Sequence, residues 1–229
     1  MGFMEGNDKV VFVAGGAGNV GSYIVKKFVD LDFMVLTSTR DRTKYEKLRG
    51  FVGSKENLKI FNLDIADQDA NHKVIEYIDK VHKRLDAVVV AVGSWFDGKK
   101  ILETEVDFLL DVFKHRFITH FIIAKLFLNY MVRQGRGVYV SLAGYHAEDP
   151  LDNYGHISIS GASQIMLTKI LAKELKDYKD ISINTILMPG LNSRIKGERL
   201  ADFIANFVNI NLVNPVLKGQ IIKISEYLE

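Results

Sequence analysis

The segment Val10-Val11-Phe12-Val13-Ala14-Gly15-Gly16-Ala17-Gly18-Asn19-Val20-Gly21 constrains this chain more than any other. Its first four residues form an unbroken apolar run, the pattern of a parallel strand covered on both faces. Behind Gly21, the apolar residues Ile24, Val25, Phe28, Val29 and Leu31 fall at helical spacing. Between strand and helix, Gly15, Gly18 and Gly21 stand three residues apart. At a strand-turn-helix junction each glycine removes a Cβ where one would collide. One allows the tight turn, one lets a pyrophosphate approach the backbone, and one lets the helix pack closely on the sheet. The helix N-terminus then turns its free amides and positive dipole end toward the phosphates. The spacing predicts a dinucleotide cradle; the alternative is a glycine-rich β/α junction that holds no ligand.

Strand and helix patterns alternate along the rest of the chain. Apolar runs predict strands over 33–39, 58–64, 85–92, 137–141, 181–187 and 220–224. Helical spacing predicts helices from 43, over 67–84, over 104–134, over 158–176 and over 197–207. This order predicts an α/β fold: a single doubly wound Rossmann-type parallel sheet of about seven strands, helices on both faces, one domain over 1–229. The 104–134 helix carries apolar residues on more than one stripe, among them Phe108, Leu110, Phe113, Phe117, Phe121 and Leu128. Such a helix is buried on more than one face. A symmetric partner, in a homodimer or homotetramer, supplies the second covering; burial within the monomer is the alternative.

Composition narrows the function classes. A net charge of +2 is too small to imply nucleic acid or an anionic membrane. The chain has no cysteine, which excludes disulfides and thiolate chemistry and fits the cytoplasm. Residues 1–9 include Glu5, Asp8 and Lys9 and no long apolar run, so no signal peptide is expected. His120, Lys125 and Asn129 interrupt the most apolar helix, which is too short and too polar to span a bilayer. No spacing of histidines and carboxylates matches a metal-ligand motif.

Taken in order, these features resemble the short-chain dehydrogenase/reductase family over essentially the whole chain. The Gly-x-x-Gly-x-x-Gly spacing is nearer the family's extended and atypical branches, and Ala14 stands where the family usually has threonine. Asp64 matches the aspartate that contacts the adenine. Leu85-Asp86-Ala87-Val88-Val89 resembles the approach to the family's Asn-Asn-Ala-Gly segment, here Val90-Ala91-Val92-Gly93. Ile183-Asn184-Thr185-Ile186-Leu187-Met188-Pro189-Gly190 resembles the Pro-Gly motif after strand six, and Gly219-Gln220-Ile221-Ile222 the last strand. The resemblance implies hydride transfer between a nicotinamide and a carbonyl or alcohol. It implies cofactor contacts at Gly15, Gly18, Asn19, Val20 and Gly21 in the turn and at Arg40 and Asp64 beyond the second and third strands. It also implies them at Ala91 and Gly93 after the fourth strand and at Pro189 and Gly190 after the sixth.

The end of the second strand decides which cofactor. An acidic side chain there accepts from the ribose 2′-hydroxyl of NAD, whereas an arginine pairs with the 2′-phosphate of NADP. Thr39-Arg40, with Arg42 and Lys44 behind, favours NADP; Asp41, one residue on, keeps NAD as the second candidate.

The family's chemistry uses serine, tyrosine and lysine, helped by an asparagine. Ser141 fits the serine that orients the carbonyl, and Tyr154, the usual thirteen residues later, fits the proton-carrying tyrosine. The lysine then falls on Ser158. Alignment on Leu167-Thr168-Lys169 instead puts Ile157 at the tyrosine and Gly161 at the lysine, and Lys169 lies two turns beyond it. Arg116 falls at the asparagine, as a helix-surface charge or as a clamp for an anion. The final helix follows Gly190 within a few residues, leaving little or no substrate-covering insertion. His146, His156, Tyr145 and Tyr154 offer an alternative proton relay, although histidines in such a loop are more often solvated. Three readings follow: a reductase or dehydrogenase acting through Ser141 and Tyr154, a nucleotide-binding protein without turnover, and a structural subunit on the same fold.

Overall fold

The first apolar run is strand β1 (Val10–Ala14), buried throughout, and it is an interior strand of a parallel sheet. The computed structural model describes residues 9–53, 55–189 and 197–224. The other strands are β2 (Met34–Ser38), β3 (Leu58–Phe61), β4 (Ala87–Val90), β5 (Gly137–Gly144), β6 (Ile181–Met188) and β7 (Ile221–Lys223). They lie in the order β3-β2-β1-β4-β5-β6-β7, and every pairing is parallel. The strands are covered by α1 (Asn19–Asp30), α2 (Arg42–Val52), α3 (Gln68–Tyr77), α4 (Val106–Phe113), α5 (Thr119–Gln134), α6 (Gly155–Glu174) and α7 (Gly197–Val213).

Alternation along β1 divides the core in two. Val11 and Val13 join Ile24, Phe28, Ile204 and Val208 from α1 and α7, whereas Val10, Phe12 and Ala14 join Val74, Ile123 and Phe127 from α3 and α5. Phe12 stacks on Phe127 with ring centroids 4.4 Å apart. The fold class expected from the sequence is therefore the one observed.

Several boundaries differ from the sequence reading. Strand β5 continues to Gly144 because β6 pairs with it residue by residue as far as Met188. Helix α6 begins at Gly155 and α7 runs on to Val213, with Asn211 buried and donating to the Phe207 carbonyl while it accepts from Ser182. The helix expected over 104–134 runs without a break from Val106 to Gln134, but α4 passes into α5 through one wide, π-type turn, Lys114–Ile118. Such a turn displaces the carbonyls from their regular acceptor role. Here the Thr119 hydroxyl donates to the Lys114 carbonyl at 3.0 Å, and Gln164 of α6 donates to that of Arg116 at 3.4 Å.

Strand order reverses direction between β1 and β4. In open parallel sheets ligands bind at such a switch point, beyond the carboxyl ends of the strands. The expectations for residues 1–8, for Gly190 and for the short segment after it lie outside the described residues. Among the described residues no helix is long and apolar enough to cross a membrane.

Candidate functional site

At the carboxyl end of β1 the chain turns through Gly15, whose φ of +76° is a conformation L side chains rarely adopt. A Cβ on Gly15 would stand 2.7 Å from the carbonyl oxygen of Ala91, so the turn and the segment after β4 meet there. On Gly21 a Cβ would overlap the Gly15 carbonyl, which is the close helix-to-turn packing expected of the third glycine. Gly18 is the N-cap of α1, and no side chain caps that helix or places a carboxylate in its first turn. The amides at Asn19, Val20 and Gly21 thus open the helix without a side-chain acceptor. An anion at this end completes the hydrogen bonding and meets the positive end of the dipole. The residues present fit a bound pyrophosphate.

One glycine the motif did not assign is also required. A Cβ on Gly16 would overlap Thr37 Oγ1 and approach Val25 at 2.7 Å. The Thr37 hydroxyl is itself buried and donates to the Val13 carbonyl at 2.7 Å, locking β2 to β1 just below the turn. At the end of β2, Ser38 Oγ is buried with no hydrogen-bond partner.

Beyond β2 and β3, two of the expected cofactor residues meet: the exposed Arg40 guanidinium pairs with Asp64. Asp64 also accepts from the Ala66 amide at 3.0 Å. Asp41 is the N-cap of α2 and accepts from the Lys44 amide at 3.0 Å. Its carboxylate is engaged by its own helix.

Ser141 lies three residues inside the end of β5, buried, opposite Val90 and Thr185. Its hydroxyl is 3.2 Å from Nδ1 of His120 on α5, and Nε2 of that ring is 2.9 Å from the Val92 carbonyl. Burial pushes the His120 pKa down to about 4, despite the Val92 hydrogen bond and with help from the nearby Arg116 charge. Arg116, in the wide turn, is 6% exposed. Its Nε donates to Ser160 at 3.0 Å and its Nη1 to the Ser94 carbonyl at 2.6 Å. Desolvation brings its pKa down to about 10. It is not a surface charge.

Tyr154 is the N-cap of α6 and packs on Trp95, ring centroids 5.0 Å apart, with Gly98 against its edge. The described residues show no hydrogen bond between Tyr154 and Ser141. Ser158, four residues on, is buried and turns its hydroxyl back to the Tyr154 carbonyl at 3.2 Å. In the other register Ile157 is fully buried, and a Cβ on Gly161 would stand 2.9 Å from that of Ala147. Counting the same thirteen residues back from Ile157 reaches Gly144, where a Cβ would lie 2.5 Å from Nε2 of His146. A Cβ on Gly161 would also stand 3.4 Å from the His146 ring. One imidazole therefore lies against both glycines. Burial first and Arg116 second lower its pKa to about 4, and the same causes in the same order lower that of the buried His156. Neither histidine is simply solvated.

In the sequence His120 stands out only as an interruption of an apolar helix. Its spacing of four from Arg116, which puts both on one helix face, was the available signal. Ala91, Gly93 and Pro189 all lie just past the carboxyl ends of their strands, with Gly93 beside Arg116.

A family model described as short chain dehydrogenase matches residues 9–202. Among solved structures, "ElxO with NADP Bound" superposes with a TM-score of 0.85 at 19% identity, covering 94% of this chain and 96% of that one. A 3-ketoacyl-(acyl-carrier-protein) reductase from Brucella melitensis, complexed with NADH, superposes at 0.84 with 16% identity, covering 96% of this chain and 97% of that one. Noscapine synthase SDR1 of Papaver somniferum is 27% identical over 104 residues, 44% of this chain and 28% of that protein. The chain spans less than a third of the length of the curated relatives it matches. With sheet order, glycine turn and family model in agreement, the chain belongs to the short chain dehydrogenase family.

Proposed function

We propose that this protein binds NADP(H), with NAD(H) as the weaker ligand, and exchanges hydride with a small carbonyl or alcohol compound. The observation that carries the proposal is the glycine turn closed against an α1 N-terminus that no side chain caps. Structural neighbours solved in complex with NADP, NADPH or NADH support it. The preference for NADP rests on the end of β2. Arg40 is held there by an exposed ion pair, which is weak and exchanges readily for a phosphate, whereas the Asp41 carboxylate is occupied by its helix cap.

The nicotinamide, when bound, supplies or accepts the hydride. The chain's own residues hold the phosphates at Gly15–Gly21. We assign Ser141 to hold the substrate oxygen and Tyr154 to carry the proton. No lysine stands at Ser158 or Gly161 to assist the tyrosine, so turnover is slow. A second reading, nucleotide binding without turnover, is favoured by one observation: the Ser141 hydroxyl is already engaged by His120.

Titration with NADPH and NADH, followed through the exposed Trp95, tests binding. A response to NADPH at lower concentration than to NADH is expected; no response to either ends both readings. A panel of ketones and alcohols on wild type and Tyr154→Phe then tests turnover. Equal rates in the two proteins remove Tyr154 from the mechanism, and no turnover by either leaves the binding protein.

The same proposal includes a homodimer or homotetramer in the cytoplasm. Ile159, Met166 and Ile170 form an exposed apolar stripe on α6, and Leu110 and Phe121 are exposed on α4 and α5. Light scattering reads the assembly directly, with a monomer as the opposing result.

A further inference from the structure

Arg116 is a buried cation, and no carboxylate among the described residues pairs with it. A guanidinium has five N–H donors. Its two hydrogen bonds here go to neutral acceptors, Ser160 and the Ser94 carbonyl. A buried charge left with neutral partners is unfavourable unless a counter-ion completes it. Other groups in the neighbourhood are also incomplete. Both ring nitrogens of His156, Nδ1 of His146 and Oε1 of Gln164 are buried with no hydrogen-bond partner. Native interiors leave few polar atoms in that state without water or a ligand.

The cluster is placed where a ligand can reach it. A Cβ on Gly93 would stand 3.5 Å from Arg116 Nη1, so the guanidinium reaches the segment following β4, at the carboxyl end of the sheet. Its charge balance also selects the ligand. Burial and the Arg116 field keep His120, His146 and His156 uncharged at neutral pH. The group therefore carries one positive charge, with planar donors that match a carboxylate two by two. A monoanion neutralises it, whereas a dianionic phosphate leaves an excess buried charge.

We propose that Arg116 is the receptor for a substrate carboxylate, so that the carbonyl or alcohol compound is an oxo acid or hydroxy acid. The proposal rests on the carbonyl or alcohol reading above and names its substrate class. Arg116 binds and orients the acid; the reacting oxygen is left to the residues already assigned.

The test is calorimetric binding to protein saturated with NADPH, using acetate, pyruvate and 2-oxo-4-phenylbutanoate, the two oxo acids each against its methyl ester. Wild type is expected to bind an acid at least tenfold more tightly than its ester, and chloride is expected to compete. Arg116→Gln should abolish the difference and Arg116→Lys should keep part of it, with NADPH affinity within threefold of wild type in both. The proposal is overturned if no acid binds, if acid and ester bind equally to wild type, or if Arg116→Gln keeps the preference. It is also overturned if Arg116→Gln weakens NADPH tenfold, since Arg116 then serves the cofactor. Should the Gln variant lack a cooperative thermal transition, Arg116→Lys and the chloride competition decide: an unchanged preference in both overturns the receptor. A wild type that ignores NADPH but prefers the acid removes the cofactor reading and leaves the receptor standing.

Discussion

The Ser141 hydroxyl stands 3.2 Å from Nδ1 of His120, while Nε2 of the same ring stands 2.9 Å from the Val92 carbonyl. A carbonyl only accepts, so Nε2 carries the hydrogen of the neutral ring and Nδ1 accepts from Ser141. The serine proton therefore points into the protein, and its oxygen lone pairs remain for another donor. This orientation suits an alcohol, which can donate to Ser141, better than a ketone, which cannot.

That buried neutral imidazole makes stability depend on pH. His120 titrates near 4 in the folded protein and near the ordinary 6.5 when unfolded. Between those values the unfolded chain binds more protons, so unfolding free energy rises with pH and is lost as pH falls from 6.5 toward 4. One pKa unit is worth about 1.4 kcal/mol, and His120 alone predicts a loss of about 2 kcal/mol between pH 6.5 and 5. His146 shifts the same way for the same main cause, with a smaller contribution because water screens its more open ring. Urea unfolding near pH 7, 6 and 5 measures this, and a flat profile would show that the native ring takes up its proton freely.

Restoring the family's lysine at Gly161 is predicted to fail. A Cβ there meets Ala147 at 2.9 Å and the His146 ring at 3.4 Å, and a long side chain extends that overlap. Overpacking of this kind costs about 1–3 kcal/mol. Gly161→Lys should lower the melting temperature without raising turnover. A stable and faster variant would mean that His146 moves aside easily, and that its present position is not enforced by packing.

Gly16 and Thr37 should be coupled. Gly16→Ala places a Cβ on Thr37 Oγ1 and near Val25, and a loss of about 2 kcal/mol is expected together with weaker NADPH binding. Thr37→Ala removes the obstructing oxygen, along with its hydrogen bond to Val13. The double variant should recover part of the sum of the single losses, as measured by a denaturation cycle. Strict additivity would place the strain at Val25 instead.

The parts of this molecule legible in advance are those dictated by local sequence. Val10–Val13 and Ala87–Val90 are apolar because both sheet faces are covered, and Gly15 and Gly21 are glycine because a Cβ has no room. Arg40 and Asp64, the residues proposed for the cofactor, could be placed by counting from strand ends, although not their pairing with each other. The region around Arg116 and His146 was opaque for a physical reason. Arg116 is buried by a wide turn that leaves no periodic signature and by Ser160, 44 residues away. The role of His146 depends on two glycines, 144 and 161, that come together only in the fold.

Arg40 should control cofactor choice. Arg40→Ala removes the cation proposed for the 2′-phosphate and releases Asp64. A charge-assisted contact at such an exposed site is worth about 1–2 kcal/mol, so NADPH affinity should fall about tenfold while NADH changes little. Competitive titration through Trp95 reads both. An equal loss for the two nucleotides would assign Arg40 to a part of the cofactor that they share.

At the opposite end of the sheet, Asp86 is fully buried just before β4 and ties three elements together. Its carboxylate accepts from the Val10 amide at 2.8 Å, from Arg84 at 2.6 and 2.9 Å, and from Arg136 at 3.1 Å. Asp86→Ala leaves the Val10 amide buried without this acceptor and removes the shared counter-ion of two arginines. A loss of about 3 kcal/mol is expected, at the low end for a broken buried pair because both arginines reach solvent. Asp86→Asn keeps an acceptor for Val10 and should lose less. Neither change touches the carboxyl ends of the strands, so NADPH affinity per folded molecule should stay the same. Equal losses for Ala and Asn would place the stabilisation in the charge alone; a loss under about 1 kcal/mol for both would show that water replaces the carboxylate as partner to the arginines.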